Sequence, residues 1–231
     1  MPNDSFRFKQ FLVRQDLCAM KVGTDGTLLG AWARGGERIL DVGTGTGLIA
    51  LMMAQRFPQA QVTGIDIDEA AVRQSVINVG SSPFAQRITI LQQACQAMQG
   101  TFDAIVSNPP YFEQSLECPD EQRTLARHTA SLSYRELMQS ASRMLDEAGE
   151  FSLVIPADCK QRLESEASLA GFFKSRECAV RTTPRKAPRR YLLAFRKHAP
   201  EAVELTEGVI ELAPRQRAPW YQQLTHARGH P

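Results

Sequence analysis

The residues best suited to chemistry are those at 107–112, which read Ser-Asn-Pro-Pro-Tyr-Phe directly after a short apolar segment. The side-chain carbonyl of Asn108 is a hydrogen-bond acceptor, and the backbone carbonyl of Pro109 is a second one whose direction the ring fixes. Two acceptors suit a planar NH2 group, because hydrogen bonds to both protons pull the nitrogen toward tetrahedral geometry and free its lone pair. Tyr111 offers a flat face for stacking. Asn108, Pro109, Pro110 and Tyr111 thus form a predicted catalytic corner that acts on an amino nitrogen of adenine or of an amide.

A glycine-rich segment, Asp41-Val-Gly-Thr-Gly-Thr-Gly47, lies between a predicted strand and a predicted helix. Glycines allow a tight turn and a close approach of the backbone to a ligand. The spacing is GxGxG, and Leu48 stands where a dinucleotide-binding loop has its last glycine. The negative charge of Asp41 disfavours a pyrophosphate and favours a cationic sulfonium ligand that carries an ammonium group.

A second acid, Asp66, ends the next predicted strand. A carboxylate at that position can accept hydrogen bonds from both hydroxyls of a ribose. Together with the glycine-rich segment, it predicts that the cofactor is S-adenosyl-L-methionine.

Strand-like and helix-like patterns alternate through most of the chain, which predicts a mostly parallel sheet with helices on both faces. The spacing of apolar residues predicts helices over 47–56, 69–79, 134–145 and from 157 to about 170. It predicts strands over 38–42, 61–66, 87–91, 102–106 and 151–156.

The last two predicted strands, 178–183 and 190–196, have no helix between them. The short turn that joins them predicts an antiparallel hairpin, which favours a methyltransferase variant of the doubly wound fold over a nucleotide dehydrogenase. We expect one domain in three parts: an N-terminal arm (1–36) that packs on the core, the cofactor-dependent core (37–200), and a C-terminal extension (201–231). Residues 207–231 are polar and are expected to be loosely ordered.

Charge is unevenly distributed along a chain whose formal net charge is +2. Between Lys174 and Lys197 nine basic residues stand against one acid, Glu177. Such an excess attracts polyanions, and on charge alone it is equally compatible with a solvated loop.

Composition argues against several other classes of protein. No apolar run is long enough to cross a bilayer, and the N-terminus has no secretory pattern, so we expect a cytoplasmic protein without a membrane partner. The five cysteines are scattered without a CxxC pair, so no metal site is expected. No obligate protein partner is evident.

The combination of NPPY with DVGTGTG resembles the amino-methyltransferase group of the class I methyltransferase fold. The N-terminal segments Phe8–Phe11, Cys18–Gly26 and Leu28–Trp32 make the resemblance more specific. They are similar to the bacterial enzymes that methylate N6 of adenosine 37 in tRNA1(Val). The resemblance extends from about Phe6 to Phe195.

This resemblance implies a Rossmann-like, seven-stranded sheet, S-adenosyl-L-methionine as cofactor, and a tRNA substrate. The implied cofactor-binding residues are Lys21, Gly23, Thr24, Asp25, Asp41, Gly43, Thr44, Gly45, Gly47, Asp66, Ile67, Gln93, Ala94 and Asn108. Candidate RNA contacts are Lys9, Phe112, Arg123, Arg127, His128, Arg185, Lys186, Arg189 and Arg190.

One segment departs from the family pattern. This fold often has an acid at the end of the third strand that touches the adenine of the cofactor, but the segment here reads Leu91-Gln-Gln-Ala-Cys95. Gln92, Gln93 or a backbone group would have to take that role.

Three alternatives remain at this point. An enzyme that methylates a glutamine amide of a release factor shares NPPY but usually carries a helical N-terminal domain, for which too few residues precede the first core strand. A DNA adenine methyltransferase usually needs a target-recognition insertion, and none is evident. A catalytically silent RNA-binding protein is disfavoured by the intact NPPY.

Overall fold

The computed structural model of the chain describes residues 5–17, 22–109 and 132–226. These ranges form an α/β fold in which helices cover both faces of a large sheet. The helices are α1 (Thr24–Trp32), α2 (Leu48–Arg56), α3 (Glu69–Gly80), α4 (Tyr134–Met144), α5 (Lys160–Leu169) and α6 (Pro219–His226). Short 3₁₀ turns cover Ala85–Arg87, Cys95–Ala97 and Ala157–Cys159.

Most of the strands belong to a single eight-stranded sheet with the order β10-β8-β9-β7-β6-β3-β4-β5. The strands are β1 (Ser5–Arg7), β2 (Leu12–Arg14), β3 (Arg38–Val42), β4 (Gln61–Asp66), β5 (Ile88–Gln92), β6 (Phe102–Ser107), β7 (Leu145–Pro156), β8 (Phe173–Arg181), β9 (Arg190–Arg196), β10 (Glu204–Val209), β11 (Glu211–Ala213) and β12 (Gln216–Arg217). The chain winds outward from β3 to β5, then returns to the other side of β3 for β6 and β7. This reversal creates a crevice at the carboxyl ends of β3 and β6, which is where ligands bind in doubly wound sheets.

The core consists of two apolar layers, one on each face of the sheet. Successive strand residues point to opposite faces, so Ile39 joins the layer under α1 and α2, whereas Leu40 joins the layer under α4 and α5. Two fully buried faces explain why the central strands read as continuous apolar runs. None of the helices in the described ranges is long and apolar enough to cross a bilayer.

The predicted doubly wound, mostly parallel fold with an antiparallel hairpin is confirmed, but three details are wrong. The strand predicted over 151–156 begins at Leu145. The sheet has eight strands instead of seven, because β10 pairs in parallel with β8. The first hairpin strand begins at Phe173 instead of residue 178. Its early residues include Lys174 and Arg176, whose charges hide the strand pattern in the sequence although Arg176 is buried against an acid.

The C-terminal extension is ordered through residue 226, so the expectation of a loosely ordered tail is wrong there. Its order depends on contacts that are distant in sequence. The indole of Trp220 packs so closely on Gly208 of β10 that an added Cβ would lie 2.4 Å from it. Ile210 and Tyr221 are buried in the same layer as α1 and α2.

The N-terminal residues form a β1–β2 hairpin whose Phe8 and Phe11 rings stack 4.7 Å apart and are buried. Two polar side chains of α3 hold it in place. Asn78 accepts from the Arg14 backbone N–H (2.9 Å) and donates to the Arg14 carbonyl (2.8 Å), and Gln74 accepts from Leu17 N–H (2.8 Å).

Candidate active site

Three parallel strands end side by side in the crevice. Val42 of β3 pairs with Ser107 of β6, and the Ser107 hydroxyl donates to the Val42 carbonyl at 2.9 Å. On the other side of β3, β4 ends at Asp66. We call this side of the sheet the carboxyl edge. It brings the glycine-rich segment, the residues after Asp66, and Asn108 and Pro109 together.

The glycine-rich segment forms a loop that needs glycine for its backbone conformation. Gly43 and Gly45 have φ values of 71° and 54°, which lie in the left-handed region. An added Cβ would meet nothing within 4 Å at Gly43, and at Gly45 only the Gly43 carbonyl at 4.0 Å. The loop is therefore bare toward open space, which leaves room for a ligand against its backbone.

The fold holds this loop by hydrogen bonds to β4. The N–H groups of Gly43 and Thr44 both donate to the Ile65 carbonyl, at 2.9 and 3.0 Å. The Gly45 N–H donates to Asp66 Oδ2 at 2.9 Å. Gly47 has a different neighbour, since its Cβ position would lie 3.2 Å from Ser75 of α3.

Asp41 is fully buried beneath the loop. Its Oδ2 accepts from the Thr44 hydroxyl (2.7 Å) and from the Ala50 N–H in the first turn of α2 (3.1 Å). Its Oδ1 has no hydrogen-bond partner among the described residues. Burial raises the pKa of this carboxyl to about 7, although the two hydrogen bonds favour the ionised form. The site thus contains a buried carboxylate oxygen that can accept from a cationic ligand.

Asp66 and the residues next to it line the far side of the crevice. Asp66 Oδ1 accepts from the Asp68 N–H at 3.0 Å, so its carboxylate is fixed by two backbone donors and keeps lone pairs for a further donor. Ile67 is 51% exposed, which is unusual for a large apolar side chain at a strand end and suits the face of an adenine.

The segment that lacks the expected acid runs alongside Asp66. The Gln93 N–H donates to the Asp66 carbonyl at 2.9 Å, and the Gln92 side-chain amide donates to the Ile67 carbonyl at 3.4 Å. Gln93 is thus held beside Asp66 by its backbone, and Gln92 by its side chain.

Asn108 and Pro109 directly follow β6, so they begin beside Gly43 at the carboxyl edge. Asn108 is half-buried and Pro109 is buried. The remaining residues predicted for this part of the site, together with Lys21, lie outside the described residues. They are Pro110, Tyr111, Phe112, Arg123, Arg127 and His128.

The start of α1 lies next to the same loop. Gly23 caps this helix, and Thr24 and Asp25 form its first turn. A Cβ on Gly26 would lie 3.3 Å from the Leu48 side chain at the start of α2. The structure joins two residues that the sequence assigned to different ligands, because Asp25 Oδ1 lies 2.6 Å from Nε of Arg190.

The basic stretch between Lys174 and Lys197 separates into two sets. Six of its nine basic side chains form ion pairs with acids: Lys174, Arg176, Arg181, Arg190, Arg196 and Lys197. The other three, Arg185, Lys186 and Arg189, are exposed and have no ion pair with any described residue. All three belong to the turn between β8 and β9, residues 182–189, which we call the basic turn.

The topology places the basic turn at the carboxyl edge. β7 runs parallel to β6 and ends at Pro156, and β9 starts opposite Pro156 at Arg190 and runs back. Lys9 is exposed in the turn of the β1–β2 hairpin, and the neighbouring Phe11 ring of that turn packs on Phe84, beyond the C-terminal end of α3.

Sequence reasoning did not identify Asn78 as a residue of the site. Besides holding Arg14, its amide donates to the Thr46 carbonyl of the glycine loop at 2.8 Å. It was missed because a polar residue in a helix normally indicates an exposed face. The spacing of Gln74 and Asn78, which are four residues apart and so share one face of α3, could have indicated a polar contact surface.

These features fit S-adenosyl-L-methionine. The bare glycine loop leaves room for the methionine part, and the buried carboxylate of Asp41, which has no cationic partner in the described ranges, suits the positive charges. The carboxylate of Asp66 suits the ribose hydroxyls, and the exposed Ile67 suits the adenine. No cluster of three or more potential metal ligands occurs in the described part of the chain.

Solved structures share this fold. The chain matches a predicted O-methyltransferase from Agrobacterium tumefaciens with a TM-score of 0.69 and 17% identity, over 90% of this chain and 98% of that one. It matches the ribosomal protein L11 methylase from Lactobacillus delbrueckii with a TM-score of 0.57 and 19% identity, over 80% and 84%. The fold and the loop define a class I methyltransferase that uses S-adenosyl-L-methionine.

Sequence comparison identifies the family. Residues 26–184 match the methyltransferase small domain family. Relatives called tRNA1(Val) (adenine(37)-N6)-methyltransferase occur in Bacteroides thetaiotaomicron (46% identity; 97% of this chain and 97% of the relative) and in Tolumonas auensis (43%; 88% and 88%). The chain belongs to the methyltransferase small domain family and, within it, to the group that these relatives form.

Proposed function

We propose that this protein methylates N6 of an adenosine in tRNA, at position 37 of the anticodon loop of tRNA1(Val), in the cytoplasm. The observation that carries the proposal is the position of Asn108 and Pro109, which follow β6 directly beside the bare glycine loop. The names of the relatives, whose similarity covers nearly the full chain, support the choice of substrate.

The proposed cofactor site consists of the loop and the neighbouring strand ends. We assign the methionine part to the glycine loop and Asp41, the ribose to Asp66, and the adenine to Ile67, Gln93 and Ala94. Gly23 and Thr24 border the methionine end. When bound, the cofactor supplies a methyl group on a positively charged sulfur.

The proposed role of the catalytic corner is to hold and reshape the target nitrogen. The Asn108 side-chain carbonyl and the Pro109 backbone carbonyl accept one hydrogen bond each from the N6 amino group, and Tyr111 stacks on the base. The N–CH3 bond forms as the S–CH3 bond breaks, and the nitrogen loses a proton afterwards. No strong general base is needed, so catalysis comes from positioning and directed dipoles.

The proposed RNA-docking face is the basic turn, with Arg185, Lys186 and Arg189 neutralising phosphates. Its position at the carboxyl edge puts these charges on the same side of the sheet as Asn108. An anticodon loop is already partly single-stranded, so extruding its adenine takes less free energy than flipping a base from a duplex. Lys9, Phe112, Arg123, Arg127 and His128 remain candidate contacts.

The test is a transfer assay with purified protein, S-adenosyl-L-methionine labelled in its methyl group and unmodified tRNA, followed by digestion to nucleosides. We expect labelled N6-methyladenosine, and its position in the tRNA identifies the site. Asn108→Ala is the matched control: it should abolish transfer and leave cofactor affinity nearly intact.

Several results would contradict the proposal. No label in tRNA, with label in a release-factor glutamine, would establish the protein methyltransferase alternative. Tight tRNA binding without transfer to either substrate would indicate a binding protein. Loss of cofactor affinity in Asn108→Ala would remove Asn108 from its assigned role.

A further inference from the structure

Two adjacent arginines at the start of β9 have different surroundings. Arg189 is exposed at the end of the basic turn and has no ion pair within the described ranges. The Arg190 side chain is 25% exposed, and its Nε lies 2.6 Å from Oδ1 of Asp25, whose side chain is 20% exposed. A simple reading of the sequence treats both arginines as phosphate ligands, but the charge of Arg190 is already compensated.

The partner of Arg190 lies next to a glycine that packs against the helix following the cofactor loop. Asp25 lies in the first turn of α1, and the next residue, Gly26, packs against Leu48 and Ile49, with distances of 3.3 and 3.8 Å from its Cβ position. Leu48 directly follows the glycine loop. The backbone at the start of α1 therefore packs directly against the first side chains of α2.

The other end of the ion pair is equally well fixed. Arg190 lies opposite Pro156 of β7 and Val180 of β8, and the Arg189 N–H donates to the Val180 carbonyl at 3.0 Å. The pair thus connects the base of the basic turn to the helix start that packs on the residues directly after the cofactor loop, across 165 residues of sequence.

We propose that Asp25 and Arg190 form a positioning pair that fixes the basic turn relative to the cofactor loop. RNA held by Arg185, Lys186 and Arg189 is thereby placed so that its target nitrogen meets the methyl group. Neither partner has to touch the cofactor or a phosphate. The inference rests on the proposed function, because it assigns the turn to RNA.

The test compares Arg190→Gln and Asp25→Asn with the matched neighbour Arg189→Gln. We expect Arg190→Gln and Asp25→Asn each to lower kcat at saturating tRNA by roughly 10- to 100-fold, since small misplacement of reacting groups has effects of that size. The double variant should be no slower than either single variant, because both remove the same contact. Cofactor affinity of Arg190→Gln should stay within about twofold of the wild type, since no part of the proposed cofactor site is assigned to Arg190.

The salt dependence of tRNA binding separates positioning from phosphate contact. Arg189→Gln should reduce the slope of log K against log salt concentration by about one, and Arg190→Gln should leave it unchanged. A reduced slope in Arg190→Gln, or additive kinetic effects in the double variant, would overturn the proposal. Weaker cofactor binding in Arg190→Gln would overturn it as well.

Failure of this inference is distinguishable from failure of the proposed function. Wild-type protein that does not methylate tRNA contradicts the function itself. Active wild-type protein whose two arginines behave alike contradicts only the positioning role. Circular dichroism spectra confirm that each variant is folded, and Asp25→Asn or Arg190→Gln alone suffices for a decision if the other does not fold.

Discussion

Asp41 and Glu150 are both buried in the sheet, but their surroundings differ in charge. Glu150, in the middle of β7, forms ion pairs with Arg34, Arg176 and Arg196. The guanidinium of Arg176 also lies 3.9 Å from the centre of the Trp32 ring. Asp41, at the carboxyl edge, has a hydroxyl and a backbone N–H as its donors and no ion pair with any described residue.

The difference separates a structural role from a binding role. A buried carboxylate is costly unless it is paired, so the arginines around Glu150 compensate its charge within the fold. Asp41 lacks that compensation, and the raised pKa of about 7 is the consequence. A positively charged ligand would stabilise the ionised form of such a carboxylate. A sulfonium cofactor with an ammonium group is a ligand of this kind.

The largest expected effect is on stability in Glu150→Gln. The substitution leaves three arginines around a neutral amide, two of them at least partly buried, and should lower the free energy of unfolding by about 3–5 kcal/mol. Chemical denaturation measures this value. The exposed pair of Glu69 and Arg73 on α3 provides the control, since Glu69→Gln should change it by less than about 0.5 kcal/mol. Equal effects would show that burial does not distinguish these carboxylates.

The next effect is on cofactor affinity in Asp41→Asn. The amide keeps the size of the side chain and an oxygen acceptor but removes the charge, so we expect the Kd of S-adenosyl-L-methionine to rise roughly 10- to 100-fold. Stability at neutral pH should be unchanged or improved, because a buried charge is lost. Calorimetry measures the Kd, and chemical denaturation of the same sample measures the free energy of unfolding. A destabilised variant with normal affinity would show that Asp41, like Glu150, has a structural role.

The most gradual effect is a pH dependence of stability, because it is spread over about three pH units. The pKa of Asp41 is raised from 3.8 to about 7 in the folded protein, so between these values the folded state holds a proton that the unfolded chain releases. The free energy of unfolding should therefore fall as pH rises from about 4 to about 7, by up to about 1.4 kcal/mol per unit, and level off above. This component is the difference between wild type and Asp41→Asn, and parallel curves for the two proteins would contradict it.

The sequence predicted the parts of the molecule that depend on local pattern. The strands that end at Val42 and Asp66 were predicted with their observed bounds, because a short apolar run followed by glycine or a charged residue marks a buried strand and its end. The glycine loop and Asn108 followed from these ends, since the carboxyl ends of parallel strands meet.

What the sequence did not predict depends on contacts between distant residues. β10 is an edge strand with most of its side chains exposed, and its order depends on its pairing with β8 and on the packing of Trp220 on Gly208. The pairing of Asp25 with Arg190 removes one arginine from the expected docking face, and nothing local distinguishes it from Arg189. The charges of Glu150 and Arg176 predict exposed residues, but in the fold the two are buried as an ion pair.

One measurement tests most directly whether Asp41 is kept for a cationic ligand. Calorimetric titration of S-adenosyl-L-methionine near pH 7, in buffers with different ionisation enthalpies, gives the number of protons exchanged on binding. The cofactor's own amino group titrates in this range, so the informative quantity is the difference between wild type and Asp41→Asn. We predict that the wild type releases roughly half a proton more per cofactor bound, because the arriving cation lowers the pKa of a carboxyl that is half protonated. Equal proton exchange in both proteins would contradict the account.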